Sequence, residues 1–377
     1  MLVALTENQD IFQLTPSITE TILYELRQTT NFYCRQCKEK LHLKIGRIKI
    51  PHFAHVKNSQ CESLFSDGES LTHLLGKQQR FSFFQQYGNV QLEPYLQQLH
   101  QRPDLLLTLP HRRYAIEFQC SRIAPEVLAA RTDGYIQHRI TPLWLYQTPT
   151  EQMKQQGISK VSLNHFTQQF IQQQKQQQYI VTYDAHSQTF YYLSNLMPLQ
   201  GNQFLTHIQP LALPQQAFPF YLPTILSEQA YGKMISRYIN YKESYCKSRL
   251  FLSRQGINDL FLRSIYELRL SRESLPCFIG IPTRHNEAIP LFSVEWQMAL
   301  FYFMHCHSLT PQTMNTKAIP YFFKWAKLPY NSLADEAVRR YIKLLKGLMI
   351  HDVYTNVSTP TLLQKLYDEL VAISCEN

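Results

Sequence analysis

Apolar positions follow two different periods along this chain, and the changes of period mark its elements. Residues 1–5 and 11–14 alternate around a polar turn and predict two short strands. Residues 18–28 have helical spacing, with Thr15 or Ser17 available as the cap. A second helix is predicted from Ser66-Asp67-Gly68-Glu69 to about Gln86. Leu71, Leu74, Leu75 and Phe81 form its apolar side, while Glu69, His73 and Lys77 recur every four residues on one face. A short strand at 90–92 ends at Glu93-Pro94. Leu105 to Leu109 then read as a buried strand, Pro110-His111-Arg112-Arg113 as a basic turn, and Tyr114 to Cys120 as a second strand. A helix over 125–136 and a strand over 143–146 follow; strand, helix, strand predicts parallel pairing with a right-handed crossover. From Glu151 the composition changes. A glutamine-rich tract at 168–178 suggests a polar helix or linker, 179–183 and 189–193 read as a hairpin, and the proline-rich stretch 210–223 as a connector. Amphipathic helices at 332–349 and 361–373 close the chain.

Composition adds a compartment and a partner class. Lys and Arg number 37 against 28 Asp and Glu, a net charge of +9 that favours a polyanionic partner. The first residues lack a basic n-region, and no apolar run reaches the roughly 20 residues needed to span a bilayer. Eight cysteines with one close pair read as reduced thiols, which points to the cytoplasm.

Three groups of residues carry candidate chemistry. Cys34-x-x-Cys37, His52-x-x-His55 and Cys61 offer five donors for four places. Cys34, Cys37, His55 and Cys61 are the favoured zinc ligands, with His52 the substitute. A redox dithiol is the alternative, but the strand–helix–strand context expected around one is missing. With few large apolar residues nearby, structural zinc would supply folding energy on the order of 10 kcal/mol. The second group lies on the two central strands. Side chains alternate, so Ala115, Glu117 and Gln119 share one face, and hairpin pairing brings Asp104 beside Glu117. Two carboxylates at the rim of an apolar sheet need hydration, hydrogen bonds or a bridging cation, and a hard ion such as Mg²⁺ or Mn²⁺ suits their oxygens. Glu93 either joins this cluster or faces solvent. The third group spans 233–272, where nine basic residues meet three acidic ones. Lys233, Arg237, Lys242, Lys247 and Arg249 are interleaved with Tyr238, Tyr241, Tyr245, Phe251, Phe261 and Tyr266, a pattern that suits single-stranded DNA and equally describes core aromatics with a solvated basic face. Arg131, one turn before Tyr135, is a further candidate phosphate contact.

Pro103-Asp104 followed by Glu117-x-Gln119 resembles the PD-(D/E)xK nuclease motif, with Gln where Lys is usual. Together with the Cys/His region and Glu69-Ser-x-x-His73-x-x-x-Lys77, the chain is similar to the CoiA-like family of bacterial competence proteins. The resemblance implies an α/β fold in three parts: a zinc-finger-like region over 1–65, a nuclease-like mixed sheet flanked by helices over 66–150, and a mainly helical region over 151–377 with a hairpin near its start. It further implies Mg²⁺-dependent DNA cleavage during natural transformation, with Asp104 and Glu117 on the metal. Glu69 would complete the site or serve as a helix cap. His73 would be a ligand, a substrate contact or a helix-face residue, and Lys77 a substitute cation for the one missing at Gln119. DNA and other competence or recombination proteins are the implied partners. The alternative is a DNA-binding or recombination-mediating protein on a nuclease fold that no longer cuts.

Overall fold

The computed structural model describes residues 1–56, 61, 69–152, 155–174, 177–252, 258–271 and 275–370. It is mixed α/β, as the hydropathy pattern predicts. The N-terminal part holds β1 (Val3–Leu5), β2 (Ile11–Gln13), α1 (Glu20–Thr29), β3 (Phe32–Tyr33), β4 (Lys40–Lys44) and β5 (His52–His55). Its strands form an antiparallel sheet in the order β2-β1-β3-β4-β5. Thr19, rather than Thr15 or Ser17, caps α1.

The central sheet is built from β6 (Asn89–Leu92), β7 (Leu105–Thr108), β8 (Arg113–Gln119), β9 (Ile140–Gln147), β10 (Gly157–Ser162), β11 (Gln172–Gln174), β12 (Gln177–Asp184), β13 (Thr189–Pro198) and β14 (Gln203–Ala212). The order is β10-β14-β13-β12-β9-β8-β7-β6, with β11 added beside β12, so strands from both sides of residue 150 share one sheet. Helix α2 (Leu71–Gln85) precedes β6, α3 (Pro125–Gln137) joins β8 to β9, and the short α4 (His165–Gln168) precedes β11. β8 and β9 pair in parallel, as the strand–helix–strand order requires. The glutamine-rich tract is not one polar helix or linker: it turns through α4 and then pairs as β11 against β12, where backbone bonds replace the apolar alternation that would have revealed a strand. The 179–193 hairpin forms as expected. The stretch taken for a connector begins inside β14, where Pro210 stands opposite Tyr191.

α2 starts later than its sequence pattern suggests. Ser66, Asp67 and Gly68 lie outside the described residues; the cap is Ser70, whose hydroxyl accepts the His73 N–H at 3.2 Å, so Glu69 stands just ahead of the helix. One face of α2 packs on the central sheet. Leu74, Phe83 and Phe84 join Leu105, Leu107 and Ile116 in a core that also takes in Leu2, Phe32 and Phe53 of the N-terminal sheet. On the opposite face of β7–β8, Leu106 and Ala115 pack with Tyr135 of α3.

The C-terminal part comprises α5 (Glu228–Leu252), α6 (Leu260–Glu267), α7 (Ser293–Cys306), α8 (Ala318–Trp325), α9 (Ser332–Gly347) and α10 (Thr359–Leu370). α7 is buried from Ser293 to Met304 and is the hub on which the other helices pack. Its Gln297 Oε1 accepts the N–H groups of Gly280 and Ile281 at 2.7 and 3.1 Å, and its Nε2 donates to the Ile281 carbonyl at 2.8 Å. Those bonds explain why a glutamine stands in an apolar helix core. Among the described residues no helix is long and apolar enough to cross a membrane, and no described cysteine forms a disulfide.

Gly76 lets α2 approach β8: a Cβ at this position would lie 2.4 Å from the Phe118 ring. We expect Gly76→Ala to destabilise the chain by about 1–3 kcal/mol through overpacking, read as a lowered midpoint in chemical or thermal unfolding. An unchanged midpoint would contradict this packing.

Candidate active site and candidate metal centre

β7 and β8 pair with Leu105 opposite Ile116, which places Asp104, one step further, opposite Glu117. The Phe118 N–H donates to Asp104 Oδ2 at 2.8 Å, and His73 Nε2 donates to the same oxygen at 3.1 Å. Glu117 Oε1 accepts from Arg131 Nη2 and from the Tyr135 hydroxyl, one turn apart on α3. The two carboxylates are thus oriented from different helices, α2 for Asp104 and α3 for Glu117. Both line one cavity of about 540 Å³, along with Glu69, His73, Gln119 and Cys120. Gln119 does not reach toward Asp104; its Nε2 donates to the Ser121 carbonyl at 2.6 Å.

The neighbours divide the two carboxylates electrostatically. Burial alone would push Asp104 up, but His73, Lys77 and Arg80 outweigh it and hold the carboxyl well below its usual range. Glu117 is pushed up by burial, with the Asp104 charge adding to the effect and Arg131 opposing it. Burial would lower the His73 pKa, but Asp104 dominates and raises it to about 9, so His73 is a cation at neutral pH.

Behind the cavity, Lys77 is fully buried. Its Nζ donates to Glu69 Oε1 at 2.6 Å and to Glu93 Oε1, and lies 3.9 Å from Asp104 Oδ1. Burial opposes this charge; Glu69, Glu93 and Asp104 together more than restore it, so Lys77 stays protonated. Glu69 is likewise held well below the usual carboxylate range, because Lys77 overcomes the effect of burial. Glu93 therefore joins the acidic cluster and does not face solvent. It has a φ of +46°, uncommon for a residue with a side chain, and its Oε2 accepts the N–H groups of Leu2 and Val3 at 3.0 and 3.2 Å.

Arg80 and the role of Tyr135 emerge only in the structure. Arg80, three residues beyond Lys77 on α2, is fully buried, with its guanidinium 3.9 Å from the Phe118 ring centroid. Its three side-chain nitrogens have no hydrogen-bond partner among the described residues, and burial lowers its pKa to about 10. Tyr135, a neighbour of Arg131 by spacing, is also a direct partner of Glu117. The available signal was spacing: His73, Lys77 and Arg80 fall on one helical face, as do Arg131 and Tyr135.

The second cluster lies in the N-terminal part. The ligand atoms of Cys34, Cys37, His55 and Cys61 all lie within 4.8 Å of one another. A tight turn carries the first pair: the Lys38 N–H donates to the Cys34 carbonyl at 3.0 Å, and Lys38 has a φ of +61°. Cys37 Sγ stands 3.4 Å from His55 Nε2. Without a cation, burial pushes the Cys37 thiol up to about 12, and the Cys61 and Cys34 sulfurs add to the shift. Such a crowd of thiols fits a thiophilic metal such as zinc, which would hold them as thiolates. His52 is outside this group, with its Nδ1 donating to the Ile50 carbonyl at 2.8 Å.

The candidate phosphate contacts are spread over the molecule. Arg131 is buried against Glu117. Lys242 is buried and donates to the Ile279 carbonyl at 3.0 Å, and Arg249 bridges Asp259 and Glu295 at 2.8 and 3.2 Å. Arg237 donates to the Ile158 carbonyl from an exposed position, and Lys233 and Lys247 are exposed. Of the interleaved aromatics, Tyr238, Tyr245 and Phe261 are core residues, while Tyr241 and Tyr266 are exposed.

The family model "Competence protein CoiA, nuclease-like domain" matches residues 69–223, and "Competence protein CoiA, N-terminal domain" matches residues 16–64. Competence protein CoiA of Bacillus subtilis (strain 168) is 30% identical over 280 residues, covering 72% of each chain. No solved structure matches.

His73 generates a pH prediction. Its folded pKa of about 9 lies above the ordinary 6.5, so its stabilisation is complete below pH 6.5 and is lost as the pH rises through 9. The stability difference between the parent chain and His73→Gln should therefore shrink between pH 6.5 and 9.5 by up to about 3 kcal/mol. Urea unfolding at stepped pH measures it; a difference independent of pH would contradict the Asp104–His73 pairing.

Proposed function

The chain belongs to the competence protein CoiA family, and from that premise we propose that it is a cytoplasmic metal-dependent deoxyribonuclease acting on incoming DNA during natural transformation. The observation that carries this reading is the pairing of Asp104 with Glu117 in the lining of one cavity. Oε2 of Glu117 carries none of the hydrogen bonds just described and Oδ1 of Asp104 has only the Lys77 ammonium at 3.9 Å, and two carboxylates of this kind suit Mg²⁺ or Mn²⁺. A hard divalent cation held there supplies Lewis acidity toward a phosphodiester.

The chain's own groups do the rest. Phe118 N–H and His73 fix Asp104, and Arg131 and Tyr135 fix Glu117, so neither carboxylate needs to reorganise when charge develops. Gln119 can only donate and accept hydrogen bonds, and its amide is committed to Ser121. Positive charge toward a phosphate comes instead from His73, which lines the cavity, with Lys77 adding to the potential from behind. With its pKa raised by Glu69, Glu93 and Asp104, Lys77 serves as an electrostatic support and not as a base. Glu69 holds Lys77 in place. Zinc at Cys34, Cys37, His55 and Cys61 is a structural ion in this reading, since four protein ligands leave no open position.

Gln119 favours a second reading, a DNA-binding or recombination-mediating protein that does not cut. One experiment separates the two. Labelled DNA incubated with the purified chain should be cut with Mg²⁺ or Mn²⁺ and left intact with EDTA. Asp104→Ala and Glu117→Ala should each lower the rate at least 100-fold while DNA binding persists. Binding without metal-dependent cutting by the parent chain would establish the second reading. For the metal centre, elemental analysis should find one zinc per chain. Cys37→Ser should lose most of that zinc and unfold at a markedly lower temperature; full stability without zinc would refute a structural role.

A further inference from the structure

Lys233, Arg237, Lys242, Lys247 and Arg249 lie on α5, but a second basic surface lies elsewhere. A groove of about 790 Å³ runs over β4, β5 and the loop between them, and Arg27, Lys40, Lys44, Arg47 and Lys49 line it. No Asp or Glu is among its lining residues. The strand period produces this: along β4, Leu41 and Leu43 turn into the core while Lys40, His42 and Lys44 stay exposed on the other face. Alternate residues are spaced by roughly 7 Å, a step comparable with the phosphate spacing of an extended strand. On the loop, Ile48 is 84% exposed and offers an apolar contact beside the cations.

The groove also leads somewhere. Lys49 lines it, and Lys49 Nζ donates to the Glu69 carbonyl at 2.6 Å. Glu69 in turn lines the cavity that holds Asp104 and Glu117. Groove and cavity share no lining residue but adjoin where Lys49 of one bonds Glu69 of the other.

We infer that this basic face of the N-terminal sheet is a DNA-binding track that feeds a strand into the carboxylate cavity, an inference that rests on the nuclease reading only for where the strand is delivered. The groove binds phosphates through Lys and Arg and has no exposed Phe, Tyr or Trp in its lining, so binding is independent of sequence and steeply dependent on salt.

The test is fluorescence anisotropy of a labelled single-stranded oligonucleotide with the full chain in EDTA, so that binding is read without cutting. Lys40→Glu/Lys44→Glu/Arg47→Glu should weaken binding at least tenfold and reduce the slope of log affinity against log salt by about 2, as expected for three lost phosphate contacts. Lys324→Glu/Lys343→Glu/Lys346→Glu, a reversal of equal size at exposed positions elsewhere, should change binding less than threefold. Lys40→Gln/Lys44→Gln serves as the milder variant if the reversal does not fold, and should still weaken binding several-fold. Equal losses in the groove and control variants, or no loss in the groove variants, would overturn the proposal. So would groove-dependent capture by phosphatidylglycerol vesicles with unaltered oligonucleotide affinity. Groove-dependent binding by a parent chain that cuts no DNA with Mg²⁺ or Mn²⁺ would refute the nuclease reading and leave the track standing.

Discussion

A buried ammonium is the constraint on which this architecture turns. Lys77 sits inside the protein with no access to water, and a charge so placed is tolerable only when opposite charges and hydrogen bonds surround it. Glu69, Glu93 and Asp104 provide them, one from the segment before α2, one from the end of β6 and one from the start of β7. Glu93 then spends its second oxygen on the backbone of β1 and the residue before it. A single cation thereby fixes the helix against the sheet, and the central sheet against the N-terminal one. The same negative cluster sets the charge of His73 and, through it, the position of Asp104.

The cavity gains its polarity from this arrangement. Asp104 is surrounded by cations and stays ionised, whereas Glu117 faces Asp104 and is pushed the other way. Two carboxylates held under unequal conditions are what a hard cation would equalise. The absence of Lys at position 119 is less consequential in such a setting, because His73, Lys77, Arg80 and Arg131 already surround the pair with positive charge. Arg80 is the unusual member: a buried guanidinium stacked on Phe118, with its hydrogen-bonding capacity unspent among the described residues.

Much of this was legible in the residues. The alternation along Leu105–Thr108 and Arg113–Gln119 was enough to bring Asp104 beside Glu117, and cysteine spacing was enough to gather Cys34, Cys37, His55 and Cys61. The start of α2 was misjudged because Ser66-x-x-Glu69 imitates a cap, while Ser70 supplies the real one three residues before an available N–H. Glu93 could not be placed, since a carboxylate before proline at a strand end looks the same whether it meets solvent or Lys77. The strand at Gln172–Gln174 was hidden because glutamines carry no hydrophobic period, and only pairing with β12 reveals it. The basic stretch of α5 looked like a nucleic-acid surface because composition cannot distinguish Lys242, bound to an internal carbonyl, from exposed Lys233.

The central claim is that Asp104 and Glu117 together hold a divalent cation. Anomalous diffraction from crystals soaked in Mn²⁺ tests it most directly. A peak is expected within coordination distance of both carboxylates in the parent chain, and none there in Asp104→Asn. A soaked crystal with the cavity open to solvent and no manganese between the two groups would contradict it.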